Sequence, residues 1–444
     1  MEINMPDYVQ LIINILEENN FEAYIVGGAL RDILLDKEPK DYDIGTNALP
    51  EEIERIFCGF KPISVGKKFG TIVVPQKEGD IEVTTFRKDG DYIDGRRPEW
   101  VIYSNNIIED LSRRDFTINA MAYSEKVGLI DPFRGKIDLE KQIIKTVGNP
   151  EERFQEDYLR ILRAVRFSTE LGFVIEENTF NAGKKYSKYI SNISQERIRE
   201  EFFKILVSDT PSQGIRILEE IGALKIILPE LVETIDFHQK NPHHERDIYE
   251  HVLCVIDQVP AILNLRLAAL FHDMGKVHTQ RLDEEGIAHY YNHHKISGEI
   301  CKTVLKRLKS PNELIDKTEI LVLEHMNHHN EFGEKGLKRL INKLGKEEIF
   351  NLLELQKADI KCSNERATID HIIGREKRIK EILENKEAIS VKDLDINGRD
   401  LIEMGYREGE IIGQLLDYLL DRVLEEPELN EKKKLVGLLA NFKL

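Results

Sequence analysis

At 444 residues the chain is longer than a single hydrophobic core supports, so several domains are expected. A hydrophobic fraction of 41% is enough for packed globular domains, and no apolar run approaches bilayer length, which excludes membrane-spanning helices. With a net charge of -17 the chain as a whole repels phosphate, so any nucleic-acid site is expected to be a local basic surface.

The N-terminal MEINMPDYVQ lacks a basic start and a sustained apolar stretch, and a soluble, cytoplasmic protein without membrane partners is expected. Asp7–Asn20 places Val9, Ile12, Ile13 and Leu16 at helical spacing, beside the strand-like Tyr24-Ile25-Val26. That apolar run stops at Gly27-Gly28, a turn whose backbone N–H groups can approach an anion. Ala29–Leu35 reads as helix, and Asp41-Tyr42-Asp43-Ile44 returns to an extended pattern. Alternation along a strand sends Asp41 and Asp43 to one face, where the two carboxylates repel unless a cation lies between them. A Gly-Gly pair is commonly an ordinary turn and Asp-X-Asp a solvated loop. Their succession in one strand–turn–helix–strand unit points instead to a metal–triphosphate site.

Gly27-Gly28-Ala29-Leu30-Arg31-Asp32 followed by Asp41-Tyr42-Asp43 resembles the signature of the tRNA nucleotidyltransferases. These are the CCA-adding enzymes of the bacterial class II and poly(A) polymerase family, within the polymerase-β-like superfamily. The resemblance implies that Asp41 and Asp43 hold two Mg²⁺ ions, with Gly27, Gly28 and Arg31 near the nucleotide. Further on, Pro50–Phe57 reads as a short helix, and Thr71–Val74 and Ile81–Phe86 as strands. Glu82 is either the superfamily's third carboxylate or an outward-facing strand residue. Arg87–Val101 is rich in Gly, Pro and charge and reads as a mobile loop. Its position matches the family's flexible loop, which favours full CCA or terminal-A addition.

Arg113-Arg114-Asp115 on its own could be a surface ion pair, but RRDFTINAMA is close to the family pattern. The resemblance places Arg114 at the nucleotide, has Asp115 orient the sugar or Arg114, and gives Asn119 a supporting role. Asp131-Pro132-Phe133-Arg134-Gly135 closes the catalytic domain in the family's manner.

Asn149 as N-cap, Pro150 and two acids start a helix that Gly172 ends. Tyr158, Ile161, Leu162 and Val165 form its expected buried stripe, with Asp157, Arg160, Arg163 and Arg166 on the other side. Such a charged face is often only solvated. A carboxylate can also accept from the exocyclic amine of cytosine or adenine while a guanidinium donates to a ring nitrogen. One Asp–Arg pair therefore selects both CTP and ATP. Glu156–Arg163 resembles the family's template motif, which assigns base reading to Asp157 and Arg160 and leaves phosphate or the helix face to Arg163 and Arg166. Phe173–Leu231 looks helical throughout. Gly183–Tyr189 and Arg197–Lys204 are candidate basic RNA surfaces.

His243-His244 and His251, Leu270-Phe271-His272-Asp273, His293-His294, His325 and Asp359 form a second pattern. A buried His-Asp pair needs a compensating partner. The order resembles the His-Asp (HD) metal-dependent phosphohydrolases, which implies His251, His272, Asp273 and Asp359 as ligands of a second divalent metal of unfixed identity. His293, His294 and His325 are left to a further metal or a phosphate. Cys58, Cys254, Cys301 and Cys362 are scattered with no C-x-x-C pair, so neither a zinc knuckle nor a disulfide framework is indicated. Ser390–Leu444 resembles a tRNA-steadying tail and is not the long basic extension of poly(A) polymerases.

The fold class expected is α+β: a polymerase-β-like palm of small mixed sheet plus helices, then all-α neck, HD and tail domains. The boundaries are 1–148 for the palm, 149–235 for the neck, 236–375 for the HD domain and 376–444 for the tail. The expected function is template-independent addition of CCA to tRNA from CTP and ATP. Poly(A) synthesis, A-only addition and an RNA-associated phosphohydrolase are the alternatives. Oligomeric state is not legible.

Overall fold

The computed structural model describes residues 3, 5–90, 100–240, 247–329, 332–364 and 367–439. Two compact units divide the chain, Met1–Pro229 and Glu230–Leu444.

In the first unit α1 (Asp7–Glu18) buries Val9, Ile12, Ile13 and Leu16, the four positions its spacing selects. It leads into β1 (Ala23–Val26), α2 (Gly27–Leu34) and β2 (Tyr42–Thr46). Helix α3 (Pro50–Ile56) follows, then β3 (Ile63–Gly66), β4 (Thr71–Val74) and β5 (Ile81–Thr85). After β6 (Arg87–Asp89) and β7 (Val101–Tyr103) come α4 (Ile107–Ser112), β8 (Ala122–Ser124) and β9 (Gly128–Ile130). The sheet is mixed, in the order β3-β4-β5-β2-β1-β8-β9. Strand β2 is antiparallel to β1 and parallel to β5, which sets Asp43 opposite Val26 on one side and Glu82 on the other. In β5 the alternation is strict: Ile81, Val83 and Thr85 are buried, and Glu82 is exposed. Burying one face of the sheet therefore aims the carboxylates to the opposite face.

The loop expected over Arg87–Val101 begins and ends in order, because Arg87–Asp89 pairs antiparallel with Val101–Tyr103. Residues 91–99 between them lie outside the described residues.

Helix α5 (Gly135–Glu140) and the short β10 (Ile143–Ile144) precede the helical part. The single helix expected over 149–172 is two, α6 (Pro150–Glu156) and α7 (Leu159–Leu171). Asp157 adopts extended backbone, and its carboxylate accepts from the Leu159 N–H at 3.0 Å, so it ends one helix and caps the next. The break removes Tyr158 from the buried stripe; its ring stacks on Tyr189 instead, with centroids 5.0 Å apart. Arg160, expected to read the base, and Arg166, expected at phosphate or on the helix face, are both turned inward, each less than a tenth exposed. Phe173–Leu231 is not wholly helical, since β11 (Val174–Ile175) pairs in parallel with β10. The helices that follow are α8 (Glu177–Tyr186), α9 (Gln195–Leu206), α10 (Pro211–Ile221), α11 (Leu224–Ile227) and α12 (Pro229–Val232).

The second unit is helical but for one short strand pair among the described residues. Its elements are α13 (Ile248–Gln258), α14 (Leu263–Phe271), α15 (Lys276–Thr279), α16 (His293–Arg307) and α17 (Asn312–Glu324). Next come α18 (Glu334–Leu344), α19 (Glu348–Ser363) and α20 (Asp370–Glu384). A terminal cluster around Leu401, Leu415, Leu419 and Leu435 is built by α21 (Gly398–Glu403), α22 (Glu410–Glu425) and α23 (Lys432–Leu439). Among the described residues no helix is long and apolar enough to cross a membrane.

The scattered cysteines indicated no disulfide framework, yet one bond is present: Cys254 on α13 is bonded to Cys362 on α19. The two are 108 residues apart, and only the packing of those helices brings them together, so short-range spacing carries no sign of it. Closing so long a loop restricts the unfolded chain, typically by about 2–4 kcal/mol. Replacing both cysteines by serine is expected to lower the denaturant midpoint of this unit, and a dithiol reductant to do the same to the wild type. Superimposable unfolding curves would deny the bond any stabilising role.

Candidate functional site

The first unit holds a cleft of about 550 Å³ lined by Gly27, Gly28, Arg31, Asp43, Glu82, Arg114, Asp115, Asn119, Asp157, Arg160, Arg163 and Arg166. Twelve of the residues expected at a nucleotide site thus meet in one place. Asp41 stands exposed just before β2, near enough for its charge to act on Asp43.

Burial first, and then the Glu82 carboxylate beside it, push the Asp43 carboxyl up to about 6, against the opposing pull of Arg114. Asp41 adds to the same repulsion. Carboxylates crowded to this degree are stabilised by a cation among them, so the donor set fits a divalent metal. Gly27 has φ +70, and a Cβ there would lie 2.8 Å from Nη1 of Arg114 and 3.6 Å from Oδ2 of Asp43. Glycine is what lets the strand turn into α2 with the arginine packed over it. The start of α2 has no side-chain cap, and its Gly27 and Gly28 line the cleft, a setting suited to an anion.

The remaining groups are held by carboxylates. Arg31 pairs with Asp32 at 2.6 Å and donates to Oδ1 of Asn119 at 3.0 Å. Asp115 faces Arg163 (2.7 Å) rather than Arg114, whose carboxylate is Asp110 at 3.3 Å. Burial alone would raise the Asp115 carboxyl, yet the Arg163 guanidinium holds it at about 2. Asp110, buried beneath Arg113 and Arg114, was not singled out from sequence; its position four residues before Arg114 on α4 was the available signal. Asp157 is gripped by Arg197 (2.6 and 3.3 Å) and not by Arg160, whose guanidinium reaches Glu156 and the Arg113 carbonyl. Arg197 belongs to the stretch expected to form a basic outer surface. It lines the cleft instead, and Glu201 one turn on receives Arg166 at 2.6 Å.

The second unit brings His251, His272, Asp273 and Asp359 together, one ligand atom of each within 4.8 Å of the others. Asp273, His293 and His325 form an adjoining group on the same criterion. All six residues are buried. His272, His293 and His325 direct Nδ1 at the carbonyls of Ala269, Tyr290 and Val322, at 2.8, 2.8 and 2.6 Å. Nδ1 therefore carries the proton and Nε2 offers its lone pair inward. Nε2 of His251 and His272 are 3.1 Å apart, and those of His293 and His325 are 3.2 Å apart. Ring nitrogens this close are held by a metal or a shared proton between them, and with the carboxylates of Asp273 and Asp359 the donor sets fit a metal in each group. Burial and the neighbouring His272 depress His325 to about 3, keeping it neutral and able to ligate. The two oxygens of Asp273 face different groups: Oδ2 lies 3.4 Å from His251 and Oδ1 3.3 Å from His293. Lys276 reaches Oδ2 of Asp273 at 2.7 Å and was not singled out from sequence. His294 stands outside both groups, and His243-His244 lie outside the described residues.

Residues 23–145 match the family model for the poly A polymerase head domain, and residues 172–234 that for the probable RNA and SrmB-binding site of polymerase A. Residues 278–439 match the putative domain 2 of tRNA nucleotidyltransferase. The chain is 34% identical to the CCA-adding enzyme of Ligilactobacillus salivarius over 98% of this chain and 96% of that one. For the CCA-adding enzyme of Bacillus subtilis the figures are 32%, 95% and 94%. A further likeness, 46% over 224 residues, joins half of this chain to 55% of the CCA-adding enzyme of Geobacillus kaustophilus. Among solved structures, the Bacillus stearothermophilus CCA-adding enzyme in complex with CTP superposes with a TM-score of 0.72 at 28% identity, covering 98% of both chains. The Thermotoga maritima CCA-adding enzyme complexed with tRNA shares the fold at a TM-score of 0.56 and 24% identity.

Proposed function

The chain belongs to the CCA-adding enzymes, tRNA nucleotidyltransferases with a polymerase-β-like head, and from that membership we propose how its own residues choose and join nucleotides. The substrates are a tRNA 3′ end, CTP and ATP, and the reaction is attack of the terminal hydroxyl on the α-phosphate with release of pyrophosphate. Asp41, Asp43 and Glu82 are the candidate holders of Mg²⁺. When bound there, the ions lower the pKa of the attacking hydroxyl and offset charge on the leaving group. The uncapped start of α2, with Arg31 and Arg163, receives the triphosphate, and Arg114 orients the nucleotide over Gly27. Asp157, held by Arg197, accepts from the exocyclic amine of C or A, and Arg160 donates to the ring nitrogen. The observation that carries this reading is the convergence of Asp43 and Glu82 with that Asp–Arg pair on one cleft.

The four-part division at 148, 235 and 375 and a cytoplasmic location belong to the same proposal. Incubation with tRNA lacking CCA is expected to yield CCA ends when CTP and ATP are both present, and CC ends with CTP alone. Poly(A) tails, or A addition only to tRNA already ending in CC, would overturn it. In the same assay Arg160→Ala is expected to lose about 10–100-fold of its discrimination against UTP and GTP, the worth of one bidentate base contact. Unchanged discrimination would remove Arg160 from base reading.

A second activity is supported by the inward-facing histidines of the second unit. His251, His272, Asp273 and Asp359 fit one divalent metal, and Asp273, His293 and His325 fit another. Such a centre suits hydrolysis of a phosphate ester, with Lys276 beside it to bind the phosphoryl group.

A further inference from the structure

We propose that Phe167 is a positioning residue that gathers the phosphate-binding guanidiniums of the nucleotide cleft; the inference rests on reading that cleft as a nucleoside triphosphate site. The Phe167 ring on α7 packs edge-on against Phe116, with centroids 5.7 Å apart. Three guanidinium carbons lie within cation–π range of its centroid: Arg166 at 4.0 Å, Arg31 at 5.2 Å and Arg163 at 5.3 Å. All four residues line the cleft.

Three like charges around one point repel, and two features hold them there. Each guanidinium is backed by its own carboxylate: Asp32 for Arg31, Asp115 for Arg163 and Glu201 for Arg166. Those carboxylates come from α2, the connection after α4, and α9. The negative face of one ring is the feature the guanidiniums share, and it joins Arg31 on α2 to the two arginines of α7. A triphosphate carries several charges along a short chain and is bound best by cations already gathered, since ordering them on binding lowers affinity. Phe167 supplies that preorganisation without meeting the phosphate itself.

A plain core residue would be equally buried, so the test must alter the ring's charge distribution at constant shape. Phe167 is replaced in the full chain by phenylalanines carrying one, two and three ring fluorines, which weaken the negative face stepwise, and by Phe167→Leu. Binding of CTP, ATP and inorganic tripolyphosphate is then measured without tRNA. The dissociation constants of all three probes are expected to rise together with fluorine number, reaching about tenfold at three fluorines and in Phe167→Leu. The ratio of CTP to ATP affinity is expected to stay fixed, because the base is read elsewhere. Affinity that is flat across the fluorinated series, or lost only in Phe167→Leu, would reduce Phe167 to packing and overturn the proposal. A wild-type chain that bound neither CTP nor tripolyphosphate would overturn the reading of the cleft, and this inference with it.

Discussion

Asp43→Asn is expected to reduce nucleotide addition by about a thousand-fold or more, while tRNA affinity stays within a few-fold of wild type. The amide keeps the shape of the carboxylate and loses the charge that holds a divalent cation, and metal stabilisation of the transition state is worth several kcal/mol at about 1.4 kcal/mol per tenfold. The same variant is expected to be more stable than wild type in chelator. Folding raises the Asp43 carboxyl from 3.8 to about 6, so the charged form is disfavoured in the folded chain. That cost is absent below about pH 4, grows as pH rises through 6 and is constant above it. Asparagine removes it, a gain of about 1–3 kcal/mol that appears only above that range and is offset in wild type when Mg²⁺ binds. Primer extension, filter binding and denaturation in chelator at pH 4 and pH 8 measure the three effects. Near-normal addition by Asp43→Asn would dismiss the carboxylate as a metal holder.

Strands β1, β2, β4 and β5 and helices α1, α2 and α3 of the head were legible because a half-buried element writes its period into the sequence, whereas β3 and the shorter β6 to β9 were not. Ile81, Val83 and Thr85 against Glu82 and Thr84 is one instance, and Val9, Ile12, Ile13 and Leu16 on α1 is its helical counterpart. The meeting of Asp43 with Glu82 follows from a parallel register between residues 39 apart in number, which no local pattern encodes. Asp157 shows a different limit. Its neighbours have good helical spacing, and the break arises because its own side chain competes for the Leu159 N–H. Once the helix breaks, Arg197 and Glu201 from α9 become partners of Asp157, which sequence assigned to base reading, and of Arg166, which it assigned to phosphate or the helix face. The bond between Cys254 and Cys362 lay beyond reading for the same reason: it depends on which helices pack together.

Asp273→Asn is expected to empty the second unit of metal while leaving CCA addition within about twofold of wild type. Its two carboxylate oxygens face separate ligand groups, so a single substitution weakens both: Oδ2 toward His251 and His272, Oδ1 toward His293 and His325. Asp359→Asn touches only the first group, and His293→Ala only the second. Metal content after dialysis, read by mass spectrometry, is therefore expected to fall to near zero in Asp273→Asn and to about half in either of the others. Asp273→Asn also strands the buried Lys276 ammonium 2.7 Å away, so instability alone could mimic metal loss. The partial losses in Asp359→Asn and His293→Ala, which leave that ion pair intact, separate the two causes. Any hydrolysis of phosphate esters at RNA ends should fall in all three variants, because the metal rather than Asp273 itself supplies the activated water. Full metal content in Asp273→Asn would remove Asp273 as the ligand shared by the two groups, and a wild type that held no metal would mean that the close approach of four imidazoles is relieved by protons.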